Sequence, residues 1–133
     1  MATYTKFNSF VEALAEKAHN LGSDTLKIAL CASASAPVAA NAVLADLTEI
    51  AYTNLSARTL TTSSSGQTSG TYKLVLADLT LSASGGAVAA FQYIVIYNDS
   101  ASNKELIRTR NISRTIWSTS IFIFQTKNIC INN

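Results

Sequence analysis

The sequence predicts a mainly β domain, an antiparallel sandwich or flattened barrel of roughly six to eight strands with one N-terminal α-helix over about residues 7–21. Three observations predict it. Apolar residues alternate with period two at Leu26–Cys31 and again through Phe91–Tyr97, as on β-strands. Turn chemistry separates the apolar runs, at Gly85-Gly86 and at Asn98–Asn103. Only the first segment switches to helical spacing, with Phe10, Leu14, Ala18 and Leu21 on one stripe widened by Val11 and Ala15.

The helix has readable ends. Ser9 followed three residues later by Glu12 is a capping-box pattern, and Gly22 stands where a left-handed C-cap is expected. Its stripe suits a core-facing helix, although the same stripe can serve as a docking face. After it, Leu26, Ile28 and Leu30 point one way and Lys27, Ala29 and Cys31 the other. Ser33–Ala40, with Pro37, reads as a loop, and Asn41 as the cap of a short helical turn through Val43, Leu44 and Leu47. A strand is expected from Ile50 to Thr62. Thr61–Gly70, rich in Ser, Thr and Gly, reads as a mobile loop.

Tyr72–Leu81 reads as one or two strands with Tyr72, Leu74 and Leu76 on one face. From Val88 to Tyr97, Phe91, Tyr93, Val95 and Tyr97 alternate with Gln92, Ile94 and Ile96. With both faces largely apolar, this strand should be central and covered on both sides. Lys104–Ile107 starts its hairpin partner. Arg108–Asn133 is then a closing strand of the domain, or an arm that pairs with another subunit. Its run Ile121-Phe122-Ile123-Phe124 needs a neighbour to cover it. The hexapeptide Val43-Leu44-Ala45-Asp46-Leu47-Thr48 returns unchanged at residues 75–80, but its flanks do not, so it establishes no repeat.

At 133 residues the chain is a single domain, 1–133, able to bury a core without disulfides or metal. Charged residues make up 14%, against roughly 25% in an average soluble protein. Little surface repulsion then opposes packing against copies of itself or a larger assembly, although a small Ser/Thr-rich β domain is low in charge for its own reasons. Residues 1–105 hold six basic and all eight acidic groups, net −2; residues 106–133 hold Arg108, Arg110, Arg114 and Lys127, net +4. The basic groups are sparse and no aromatic residues alternate with them. This favours a solvated or partner-facing strand over a nucleic-acid handle.

No secretory leader is expected from residues 2–20, which lack a continuous apolar core, and no stretch approaches the roughly 18 apolar residues of a membrane span. Synthesis in a cytoplasm is the expectation, and the sequons at Asn54, Asn98 and Asn111 then have no glycosylation context. Cys31 and Cys130 lack metal or redox spacing and read as packed thiols. His19, the only histidine, has no ligand set around it for zinc and no serine or cysteine partner in a recognisable triad. Asp46 and Glu49 could share a helical face, but read as solvated carboxylates. Asn98, Asp99 and Asn103 are explained by turn chemistry rather than by calcium. The residues point to no catalytic site, no metal site and no cofactor.

Several segments taken together are more specific. Thr3–Lys17, His19–Lys27, Val43–Ile50, Thr68–Asp78, Tyr97-Asn98-Asp99 and Glu105-Leu106-Ile107 resemble a family of small virion structural proteins of tailed bacteriophages, whose members are described as virion or capsid decoration proteins. The resemblance covers about residues 1–107. It implies a non-enzymatic capsid decoration (cement) protein, assembled in the host cytoplasm and carried on the virion. Its partners would be the major capsid protein and neighbouring copies of itself, with no nucleic acid and no membrane. The family pattern continues with a Gly-Trp-Tyr-Asp-Tyr-Gly-like segment and an acidic tail; here Arg108-Thr109-Arg110-Asn111 follows and the charge is reversed. Exposed-terminus logic and the apolar tail nominate Thr3, Tyr4, Thr5 and Phe7, with Trp117, Ile121, Phe122, Ile123 and Phe124, as candidate intersubunit contacts. The alternatives are a tail, baseplate or fibre-associated protein, and a host-glycan-binding module using Tyr52, Tyr72 and Tyr97. An enzyme, more remote, would depend on His19 or Asp78.

Overall fold

A computed structural model describes residues 4–116, 122–124 and 129–131. The chain is mainly β with one short helix: β1 Tyr4–Lys6, α1 Ser9–Ala15, β2 Leu26–Cys31, β3 Thr62–Thr68, β4 Thr71–Leu76, β5 Leu79–Leu81, β6 Phe91–Asn98, β7 Leu106–Ile116, β8 Phe122–Phe124 and β9 Ile129–Ile131. All pairings among these strands are antiparallel, in sheets ordered β1-β7-β6-β2, β3-β4-β9 and β5-β8, and they do not close into a barrel.

The four-stranded sheet is apolar on both faces, as the alternation of β2 and β6 requires. Leu26, Ile28, Leu30, Ile94 and Ile96 face the larger cluster, with Phe10 of α1, Leu21, Leu60, Leu74 and Leu76 of β4, and Leu81 of β5. Ala29, Val95, Tyr97 and Leu106 face the smaller one with Phe7, against which Leu44 and Leu47 pack. β6 is central, paired with β2 and β7. One detail of its phase differs from expectation: Phe91 sits with Ile94 and Ile96, not with Val95 and Tyr97. The pairing with β7 is irregular at the same place: two steps along β6, from Phe91 to Tyr93, stand opposite five along β7, from Ile116 to Asn111.

α1 is shorter than the expected 7–21. The chain crosses from Phe7 in one cluster to Phe10 in the other, so burial rather than a cap fixes the helix start. Asn8 occupies the N-cap with helical dihedrals and no side-chain cap bond, and Ser9 lies inside the first turn. The helix ends at Ala15 with Glu16 as its C-cap, and the left-handed residue that follows is Lys17 (φ 63°), not Gly22. The Ala18 N–H then bonds the Ala13 carbonyl (2.8 Å) and the Lys17 N–H that of Leu14 (3.3 Å), the paired bonds of a Schellman ending. Leu21 is buried all the same, carried in by the following turn.

The segment expected as a strand from Ile50 to Thr62 is irregular up to β3. It lies along the open edge of β2 through the Ile28 N–H to the Arg58 carbonyl (3.1 Å), the Leu60 N–H to Leu26 (2.8 Å) and the Ile50 N–H to Leu30 (2.9 Å). Leu55 turns away to bridge Ala83, which breaks the ladder. The expected loop 61–70 is instead the first strand of a hairpin. Ser69 (φ 51°) and Gly70 (φ 81°) form a two-residue turn, both left-handed, that closes on Thr68 opposite Thr71. The short helical turn is a 3₁₀ turn, Leu44–Asp46. Its cap is Asp46, whose carboxylate accepts the Ala42 and Val43 N–H groups (2.8 and 3.1 Å), while Asn41 accepts from Val38. The repeated hexapeptide is thus 3₁₀ turn at 43–48 and strand passage at 75–80, as its unlike flanks foretold.

Candidate functional site

Asn98, at the end of β6, is fully buried and makes five side-chain hydrogen bonds. Its amide nitrogen donates to the Asp24 carboxylate (2.6 Å), His19 Nδ1 (3.1 Å) and the Ala18 carbonyl (3.4 Å). Its amide oxygen accepts the Ser100 and Ala101 N–H groups (2.9 and 3.1 Å). One side chain therefore ties the turn after α1 to the β6–β7 loop. Asp24 also accepts the Asn20 N–H (2.6 Å), and Ser100 Oγ accepts that of Thr25 (2.9 Å). Beside it, Asp99 pairs with Lys27 (2.9 Å) and Lys104 (3.0 Å), which hold its carboxyl below the usual range.

His19 is 6% exposed, with its ring centroid 5.3 Å from that of Phe10. Burial depresses its pKa below 6.5, against the opposing pull of Glu105 and Asp24. Its Nε2 is buried without a hydrogen-bond partner. The ring is thus a neutral, wedged acceptor. It borders a groove of about 580 Å³ with Leu14, Lys17, Leu21, Ser65 and Tyr72.

A second cluster fastens the edge of β2. Tyr52 donates to Glu49 and accepts the Leu30 N–H (3.0 Å). Arg58 stacks over the Tyr52 ring at 3.7 Å and donates to the Ile28 carbonyl (2.5 Å). Burial and the bond to Glu49 push the Tyr52 hydroxyl pKa upward. Burial likewise pushes Cys31 up to about 11, as expected for a packed thiol.

The residues singled out from the sequence do not gather at one place. Thr5 is exposed on β1, opposite Thr109, and Tyr4 is opposite Arg110. Phe7 is 0% exposed in the smaller cluster, so its contacts are internal and it is not available to a neighbouring subunit. Phe122, Ile123 and Phe124 form β8 and pair with Leu81, Thr80 and Leu79 of the same chain. Thr3, Trp117 and Ile121 lie outside the described residues. Tyr97 is buried in the smaller cluster while Tyr52 and Tyr72 pack against the larger, so these three tyrosines share no surface. Asp46 and Glu49 go to different partners, the 3₁₀ turn and Tyr52. Among the described residues no group of three or more His, Cys, Asp or Glu is placed to hold a metal ion, and no helix is long and apolar enough to cross a membrane.

Sequence reasoning missed the Asn98 hub and the β3–β4 hairpin. The signal for the hairpin was Ser69-Gly70 flanked by threonines, a turn dipeptide inside what reads compositionally as a loop. No protein-family model, curated protein or solved structure matches the chain.

Proposed function

We propose that the chain is a non-enzymatic structural protein of a bacteriophage particle, and most specifically a capsid decoration or cement protein that binds the major capsid protein. The resemblance over residues 1–107 carries this reading. The fold adds one supporting point: stretches of that resemblance far apart in the chain, His19–Lys27 and Tyr97-Asn98-Asp99 with Glu105, meet around Asn98. Residues that a family would share are thereby the ones that brace the frame. The divergent segment 108–133 supplies most of β7, with β8 and β9, and so pairs with strands of the resembling part, β1, β4, β5 and β6.

The mechanism is adhesive. A shell presents many equivalent positions, so each contact can be small and uncharged while closure of the shell supplies avidity. The test is co-sedimentation of the protein with phage heads that lack it, followed by imaging of the shells. Saturable occupancy of symmetric capsid positions is expected. No binding to heads, with label on tails instead, would overturn the capsid assignment in favour of a tail or baseplate component.

A further inference from the structure

We propose that β3 is a pairing edge for a second copy of this chain, with two β3 strands antiparallel about a two-fold axis at Gly66. β3 is the terminal strand of its sheet and has no partner on its outer edge among the described residues. Residues 63–68 are all exposed. In a two-residue hairpin the closing pair, Thr68 and Thr71, is hydrogen-bonded, and the alternation then turns the backbone groups of Ser65 and Gln67 outward. Natural edge strands are ordinarily blunted by Lys, other charges or Pro. β3 reads Thr-Ser-Ser-Ser-Gly-Gln-Thr and carries none of these; its irregularity lies between Thr62 and Ser64, at the end remote from the turn.

Gly66 points to the occupant. Its φ is not left-handed, and a Cβ built on it meets nothing within 4 Å, so nothing among the described residues requires glycine there. A mid-strand glycine costs conformational entropy, and it recurs where another backbone approaches closely. With Gly66 on the axis, Ser65 and Gln67 of one copy exchange backbone hydrogen bonds with Gln67 and Ser65 of the other, and no side chain stands between them. The strand is uncharged, so a copy meets itself without like-charge repulsion. Lys73 lies opposite Gly66 on β4, one strand further from the axis. Such an interface is small, and association in the range of about 10–100 μM or weaker is expected in solution.

Sedimentation of the full chain over a range of concentrations tests this. The wild type should show a concentration-dependent dimer. Gly66→Lys and Gly66→Glu have room to fold, and each should associate at least about tenfold more weakly because like charges then face each other on the axis. Mixing the two should restore the dimer. In parallel, amide exchange of the wild type should show protection at Ser65 and Gln67 rising with concentration. A wild type monomeric throughout, a mixture that stays monomeric while both variants fold, or protection independent of concentration would each overturn the pairing. The experiment contains no phage heads, so its outcome and that of head binding are read independently.

Discussion

The four-stranded sheet and the β3–β4 hairpin are built from opposite materials. In β6, six of eight residues are buried, and the strand is covered on both faces. In β3, six of seven are exposed. A one-residue slip of β6 would send Ile94 and Ile96 into the smaller cluster and Val95 and Tyr97 into the larger, so packing specifies its register. A slip of β3 would exchange one set of Ser and Thr for another at little cost, and its register rests on the Ser69-Gly70 turn. The first region stores stability; the second spends little of it and is free to make contacts.

The comparison breaks most visibly in the core. Ile96→Ala should cost about 2–5 kcal/mol, from lost burial plus the cavity left in the larger cluster. Ser64→Ala in β3, exposed and without a side-chain partner, should change stability by less than about 0.5 kcal/mol. Urea unfolding of both variants measures the contrast. Comparable losses would show that β3 is covered by something in the folded chain.

Asn98→Ala comes next. It leaves the Ser100 and Ala101 N–H groups without their acceptor and removes the donor shared by Asp24 and His19. A loss of about 2–3 kcal/mol is expected in the same assay. His19 adds a pH dependence of definite sign. Its folded pKa lies below its unfolded value of 6.5, so the unfolded chain binds the proton first as pH falls. The neutral ring's contribution is complete above pH 6.5 and is lost as pH drops from there toward the folded pKa. The stability of His19→Gln should be flatter between about pH 5 and 7 than that of the wild type. Parallel slopes would mean that some other group titrates there. Asp99, also depressed, acts in a separate window, its contribution lost only as pH falls below its usual 3.8.

What was legible in the sequence follows the same division. The alternation of β2 and β6, with two apolar faces, announced a central sheet covered on both sides, because burial writes its period directly into residue type. The helix was legible in part of its face and not in its length: Val11 and Ala15, expected on the apolar stripe, are exposed, and Ala13, off the stripe, is buried. Phe10 is buried where the stripe placed it, yet Val11 is 54% exposed, and the chain leaves the helix at Lys17 to bring His19 against Asn98, a contact made across 79 positions that no local pattern encodes. The Ile50–Thr62 segment has strand-like residues, but Tyr52 and Arg58 fasten it to the edge of β2 through side chains. In β3 the composition of a loop concealed a strand, because a polar strand exposed on both faces has no hydrophobic period to read. The Asn98 hub was invisible for a related reason: its members lie in two separate stretches, residues 18–24 and 98–101, each with the ordinary composition of a turn.

The smallest predicted effect is at the helix end. Lys17 holds φ 63°, a left-handed conformation that costs an L-residue with a Cβ roughly 1–2 kcal/mol. Gly22, the residue suited to that conformation, lies five positions too late to take it. The Schellman bonds from Lys17 and Ala18 therefore persist against backbone strain, sustained by the burial of Ala13, Leu21 and His19 on either side. Lys17→Gly should relieve that strain. Two terms oppose the gain: the unfolded chain becomes more flexible, and the cation near the last helical carbonyls is lost. The net expectation is a stabilisation of about 0.5 kcal/mol, visible as a raised urea midpoint with an unchanged slope. Lys17→Ala keeps the strain and loses the charge, so it should fall slightly below the wild type. If Gly and Ala at this position behave alike, the left-handed turn is not where the helix is held, and the contacts of His19 and Leu21 alone end it.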